Sequence, residues 1–242
     1  MKKAFVFIGL VLVVALSLSA DIYIKTKTHT DAMSIMGQTT PASDSMSDQW
    51  FGDNQIAMIN ADQSFIVDVA KNMAYFIFPK TKTYVETPLP LDFTKILPPQ
   101  AAAMAGMIMM TATVIPTTET KKVGQWPCTG YDVTMSIMGM PIKTRAWATT
   151  QVPFDLNAFN AKFMGPMLKG QMRFDDASVK EMMKIKGFQV ASETNGEIMG
   201  AKMHSTSEVL EISKKNPPAN TYSVPAGFTK QATLNMADLQ KR

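Results

Sequence analysis

Cysteine and histidine are nearly missing from this 242-residue chain, which has one cysteine, Cys128, and two histidines, His29 and His204. A single cysteine excludes an intramolecular disulfide and a thiolate metal cluster. The two histidines lie far apart in the sequence and show no metal-ligand spacing, so they do not indicate a zinc site or a catalytic pair. Cys128 lacks the basic or helix-start setting that activates a thiol. We therefore expect no enzymatic activity, no cofactor and no metal.

Charge is also sparse, since 18% of residues are charged and the net charge is +4. No clustered basic stripe is present, which argues against nucleic acid as a partner. The 13 glycines are scattered and form no phosphate-binding loop. By contrast, hydrophobic residues make up 46% of the chain, which is enough for one substantial core.

The first nineteen residues differ in kind from the rest. Lys2 and Lys3 precede an apolar run from residue 4 to residue 16, which is shorter than the ~20 residues that span a bilayer. Ser17 and Ser19 then place small residues at the −3 and −1 positions of a signal-peptidase site, and no cysteine lies nearby for lipid attachment. The sequence predicts a signal peptide at 1–19, a single domain at 20–242, and a periplasmic or secreted location.

Short strand-like segments with turn residues between them recur along the chain. They lie at 22–28, 55–60, 64–69, 73–78, 83–87, 107–115, 129–137, 142–149, 188–194, 202–212 and 222–224. Residues 39–48 read as a polar loop, and Asn72 is expected to take a left-handed turn conformation. Consecutive apolar residues, as at Phe65 and Ile66, place apolar side chains on both faces of a strand. Such a strand must be covered on each face by helices or by a partner. About ten strands in one layer predict a large sheet that curls.

Helical patterns occur at about 98–106 and 154–186. In the second region Phe159, Phe163 and Met167 share a helical face until Gly165 and Pro166, which we expect to interrupt the helix. A second piece is expected to start at Ser178 with Glu181 as a capping box, and Asp175 and Asp176 read as helix-entry residues. Both pieces are amphipathic and need an apolar surface, which the sheet can supply.

Six segments resemble, in their order along the chain, an uncharacterised branch of the periplasmic lipoprotein-carrier (LolA-like) superfamily. They are DVAKNMAY at 68–75, KTYVE at 82–86, CTGYDV at 128–133, GFQV at 187–190, SEVLEISKK at 207–215 and YSVPAGF at 222–228. The resemblance implies an α+β fold, mainly β, in which an antiparallel half-barrel of about eleven strands wraps an apolar cavity beneath a helical plug and lid. Carriers of this fold hold acyl chains. The carrier's lid-holding arginine has no counterpart, because the first arginine here is Arg145.

Methionine is the outlying residue, with 21 copies. Its flexible thioether suits a cavity that adapts to acyl chains, although plain core packing and soft copper(I) binding are alternatives. Phenylalanines at strand and helix spacing are likewise core or cavity residues. The candidate ligand-binding residues are Phe65, Phe76, Phe78, Met107, Met109, Phe159, Phe163, Met167, Met182 and Met183.

Three functions are consistent with these features. The first is a non-enzymatic carrier of a lipid or other hydrophobic molecule. The second is an envelope structural or interaction protein with a filled core, which docks through a sheet edge or the loop at 39–48. The third is a methionine-based copper(I) chaperone. Contact with a membrane surface is a further possibility, because lysines stand at the predicted hairpin tips.

Overall fold

A computed structural model describes residues 20–35, 38–107, 110–137, 139–170, 174–198 and 200–235. The predicted signal peptide at 1–19 lies outside these residues. Strands account for 56% and helices for 15%, so the fold is mainly β, as the sequence predicts. Within the described ranges, no helix combines the length and the apolar character needed to cross a membrane.

The described residues form fourteen strands and a few short helices. The strands are β1 Asp21–Thr30, β2 Met33–Ile35, β3 Gln38–Thr40, β4 Ser43–Phe51, β5 Gln55–Asn60, β6 Ser64–Asp68, β7 Met73–Phe78, β8 Thr83–Pro88, β9 Met110–Val123, β10 Trp126–Ile137, β11 Met140–Thr149, β12 Phe188–Ile198, β13 Ala201–Lys215 and β14 Thr229–Gln231. The helices are a 3-10 turn at Phe93–Lys95, α1 Pro99–Met107, α2 Leu156–Phe159, a π-helical turn at Asn160–Met164, α3 Gly165–Gly170 and α4 Asp176–Met182.

Twelve of these strands form one sheet, in the order β14-β8-β7-β6-β5-β4-β1-β13-β12-β11-β10-β9. Neighbours are antiparallel except for β14, which runs parallel to β8. β1 pairs with β4 on one side and with β13 on the other, and so joins an early meander to a late one. β2 and β3 form a separate hairpin. The edge strands β9 and β14 do not pair with each other, so the sheet is open.

The expectation of a polar loop at 39–48 is wrong over most of its length. β4 covers Ser43–Phe51 and lies inside the sheet between β1 and β5. Its first four residues are exposed, and only Trp50 and Phe51 at its end are buried. Backbone pairing to two neighbours therefore forms this strand without an alternating apolar pattern. In the β6–β7 turn, Asn72 has a φ of 57°, which confirms the left-handed conformation expected there.

The C-terminal segment also departs from expectation, because residues 222–224 form no strand and β14 follows instead at Thr229–Gln231. Tyr222, Val224 and Phe228 pack against the cluster that contains Trp50 and Ile66. We call the side of the sheet that bears Trp50 and Ile66 the opposite face. The helix-covered face bears Phe51, Ile56 and Phe65 and packs against α2 and the π-helical turn. The expectation that these strands are covered on each side is confirmed.

The expectation that Gly165 and Pro166 interrupt the helix is wrong, because the helix continues there through a π-helical turn. In a regular α-helix, the ring of Pro166 would clash with the carbonyl of Lys162, four residues earlier. The backbone widens instead, and the Gly165 N–H donates to the carbonyl of Asn160, five residues earlier. α2, this turn and α3 thus make one continuous stretch, the helical segment 156–170.

The predicted start of α4 is half correct. Asp175 is the N-cap and accepts from the Ser178 N–H at 2.7 Å, and Asp176 lies in the first turn, so both are helix-entry residues as expected. The capping box of Ser178 and Glu181 is wrong, because the helix already begins at Asp176. The hydroxyl of Ser178 and the carboxylate of Glu181 bond to strand β9 instead.

Candidate functional site

An apolar cavity of about 370 Å³ lies between the helix-covered face and the helical segment 156–170. Its described lining comes from the β4–β5 turn, from β5 and β6 and the turn after β6, from the loop after β8 and from the helical segment. The lining residues are Asp53, Asn54, Ile56, Met58, Phe65, Val67, Val69, Leu89, Pro90, Leu91, Lys162, Phe163, Pro166, Met167 and Gly170. Most are apolar, which suits a ligand bound mainly by removal of its surface from water.

The floor of the cavity follows from the pairing of β5 with β6. Ile56 stands directly opposite Val67, and Met58 directly opposite Phe65. Alternate residues of a strand point to one face, and cross-strand partners share it. Two residues from each strand therefore form a continuous apolar patch beneath the helical segment.

The roof is anchored by aromatic rings. The ring centroid of Phe51 on β4 lies 5.0 Å from that of Phe159 and 5.2 Å from that of Phe163. Both helical rings are buried, and such contacts are favourable beyond the area they bury. Phe163 also reaches the cavity, and Met167 lines it one helical turn later. The aromatic cluster thus fixes the first half of the helical segment, and the cavity lies under the second half.

Two charged side chains belong to the lining. Lys162 Nζ lies 3.7 Å from Asp53 Oδ1, and the side chains of Lys162 and Asp53 are 46% and 87% exposed. They therefore mark the water-facing mouth of the cavity. Lys162 Nζ also stands 5.2 Å from the ring centroid of Phe163. An ion pair this exposed contributes little to stability and can exchange partners.

Three of the ten predicted site residues line this cavity: Phe65, Phe163 and Met167. Phe159 contacts Phe163 at a ring distance of 5.3 Å and supports the roof from behind. Phe76 is the cross-strand partner of Phe65, with ring centroids 4.7 Å apart, and supports the floor in the same way.

The other five predicted residues are not brought to the cavity by the described structure. Phe78 is buried in a separate cluster around Val85 and Leu234. Met182, the last residue of α4, packs against the cluster around Val114 and Val133, and Met183 is 43% exposed. Met107 ends α1, but its side chain lies outside the described residues, as does Met109 altogether.

Sequence reasoning missed several lining residues. Ile56, Met58 and Val67 lie on predicted strands. The alternation of side chains along these strands is sufficient to predict that they share a face with Phe65. No local sequence pattern predicts that residues 89–91, Lys162 and Asp53 belong to the lining. Only tertiary packing brings this loop and this exposed ion pair to the mouth of the cavity.

The two histidines and the cysteine lie outside the described lining of this cavity. His29 and His204 both bond the carboxylate of Asp31, at 3.1 and 2.9 Å, on the exposed surface beside β13. That hydrogen bond to Asp31 is the main reason that the pKa of His204 is raised. Cys128 is buried, and burial raises the pKa of its thiol. Across the described ranges, no group of three or more histidine, cysteine or acidic residues is arranged to hold a metal ion.

Comparison of the chain with protein-family models and with curated proteins finds no match. The resemblance to the lipoprotein-carrier superfamily therefore stays a prediction drawn from the segments quoted above.

Proposed function

We propose that this chain is a non-enzymatic periplasmic or secreted protein that holds a lipid acyl chain in the cavity under the helical segment 156–170. In this proposal the open sheet acts as a LolA-like half-barrel, and the helical segment is its lid. The observation that carries the proposal is an unfilled apolar volume of about 370 Å³ between side chains that are otherwise packed. Small-molecule sites span ~300–1,000 Å³, so this volume suits one small ligand.

Binding of this kind rests on apolar area removed from water, at about 25 cal/mol per Å². The described lining offers few polar groups, so the chain portion of a ligand is recognised by size and apolarity. Met58 and Met167 contribute flexible thioethers on opposite sides of the cavity, one from the floor and one from the roof. Such side chains adapt to chains of different shape.

The competing proposal of an interaction protein with a filled core has less support from the same structure. The segment proposed as a mobile docking loop is largely strand β4, inside the sheet. At the β9 edge, the N–H groups of Ala112 and Val114 already donate to side chains of α4. These groups are therefore not available to pair with an incoming strand.

The test is mass spectrometry of the protein purified natively from the periplasm, followed by solvent extraction. We expect co-purified lipid at near one equivalent, or uptake after incubation with dodecanoate or another single-chain lipid. A protein that stays free of lipid in both experiments would overturn the proposal and leave the filled-core alternative.

The matched variant is Gly170→Phe. Gly170 lines the cavity, and a Cβ built there meets no atom of the part of the chain that the structure describes within 4 Å, so a side chain can enter this space. Replacing a helical glycine also lowers the entropy of the unfolded chain, which separates a loss of binding from a loss of folding. We expect Gly170→Phe to lose lipid, and Met183→Phe, at an exposed position at the end of α4, to retain it.

A further inference from the structure

The cavity volume matches one chain of medium length. A methylene group is about the size of a water molecule, whose share of liquid volume is about 30 Å³, so 370 Å³ holds roughly twelve methylenes. The two long chains of a membrane phospholipid exceed this volume. If the proposed function is right, the ligand that the cavity holds completely is a single-chain amphiphile.

The mouth constrains the headgroup of that amphiphile. Among the described lining residues, Lys162 and Asp53 are the charged ones, and their charges are opposite and 3.7 Å apart. A headgroup with a single charge that approaches one of them is repelled by the other at nearly the same distance, so the two terms nearly cancel. A headgroup that carries both charges can pair with both side chains at once.

The existing ion pair between Lys162 and Asp53 does not prevent these side chains from pairing with a headgroup instead. Lys162 and Asp53 are 46% and 87% exposed, and ion pairs in such positions contribute little. The amide of Asn54 adds a polar group beside Asp53 in the same lining. Lys162 is tied to the roof through Phe163, whose ring centroid is 5.2 Å from Nζ. The cationic group therefore stands where a chain enters under the lid.

We infer that the cavity selects a single-chain amphiphile with a zwitterionic phosphate–ammonium headgroup. Its phosphate pairs with Lys162, its ammonium pairs with Asp53, and its chain lies between Phe65 on the floor and Met167 on the roof. This inference rests on the proposed function, since it assigns the headgroup of the same ligand. A lysophospholipid has this chemistry.

The experiment compares four amphiphiles with the same twelve-carbon chain, each below its critical micelle concentration, by isothermal titration calorimetry in low-salt buffer. They are dodecylphosphocholine, dodecanoate, dodecyltrimethylammonium and dodecyl maltoside. We expect dodecylphosphocholine to bind about three- to fivefold more tightly than either singly charged compound, which is what one exposed ion pair supplies. Added salt is expected to narrow this difference.

Two variants assign the preference to the mouth. Asp53→Asn is expected to tighten dodecanoate binding and weaken dodecylphosphocholine binding, and Lys162→Gln to tighten dodecyltrimethylammonium binding. Lys169→Gln is the control, because Lys169 pairs with Asp176 at 2.6 Å and lies outside the described lining. It changes the net charge as Lys162→Gln does, and it should leave the order of affinities unchanged.

The outcomes separate this inference from the proposed function. If none of the four compounds binds, the acyl-chain function itself fails. If all four bind equally, if dodecanoate binds best, or if Asp53→Asn and Lys162→Gln leave the order as in the wild type, the headgroup inference is wrong and the acyl-chain function stands.

Discussion

Strand β9 is an edge, two of whose outward N–H groups donate to side chains of α4, and removal of one acceptor should destabilise the protein. Ser178 Oγ accepts from the Ala112 N–H at 3.0 Å, and Glu181 Oε2 accepts from the Val114 N–H at 3.0 Å. Alternation along the strand brings Pro116 to the next outward position, where there is no N–H to satisfy. All three positions are therefore protected against pairing with another strand.

The variant Ser178→Ala removes the acceptor of a buried donor, since Ala112 is 4% and Ser178 3% exposed. A buried N–H left without a partner costs about 1–3 kcal/mol. For a domain of this size each kcal/mol lowers Tm by about 2–4 °C, so the expected fall in Tm is roughly 2–12 °C. Urea unfolding followed by circular dichroism gives the free energy of unfolding, and a thermal scan gives Tm.

A second substitution identifies the cause of this loss. Ala112→Pro removes the donor itself, at a position that makes no ladder hydrogen bond because its N–H faces α4. In that background, Ser178→Ala should cost nothing or restore stability, because no donor is left to satisfy and the proline Cδ no longer meets a hydroxyl that lies 3.0 Å from the nitrogen. A cost below about 0.5 kcal/mol in the original background, or an equal cost in both backgrounds, would refute the reasoning.

Two further predictions concern His204 and Cys128. The pKa of His204 is raised, chiefly by its hydrogen bond to Asp31, so its stabilising contribution is full below about pH 6.5 and is lost as pH rises through the folded pKa. The Tm difference between wild type and His204→Gln should therefore be larger at about pH 5.5 than at about pH 8.5, and equal differences would contradict this. Cys128 is 4% exposed and burial raises its pKa, so Ellman's reagent should modify it only after unfolding in urea. Modification at the same rate in native and unfolded protein would show that the thiol is accessible.

The strands that could be predicted are those in which the pattern of apolar and polar residues indicates which side chains are buried. β5 and β7 begin and end where the sequence predicts, because apolar residues and turn residues mark them. β4 could not be predicted, because its first residues are exposed and polar, and it is a strand through pairing with β1 and β5. That pairing brings together segments whose partnership no local pattern reveals.

The site shows the same limit. Helical spacing placed Phe159, Phe163 and Met167 on one helix face, and all three belong to the roof of the cavity or support it. The spacing of Ser178 and Glu181 fits a capping box, but their partners are the N–H groups of β9, 66 and 67 residues away in sequence. A local motif indicates which hydrogen bonds a side chain is able to form. The tertiary fold determines which partner that side chain has.

The position of Gly170 bears on whether the cavity is a feature of the fold or a packing defect. The helical segment is held to the sheet by aromatic contacts at Phe159 and Phe163, and its far end stands over the cavity. At that end a Cβ on Gly170 would meet no atom of the described residues within 4 Å. Gly170 is the last residue of α3, and glycine is common at helix C-termini for backbone reasons, so its presence alone fits both cases. The variant Gly170→Phe distinguishes the two cases, because filling a packing defect would raise Tm without loss of lipid, whereas filling a ligand cavity would lose the lipid.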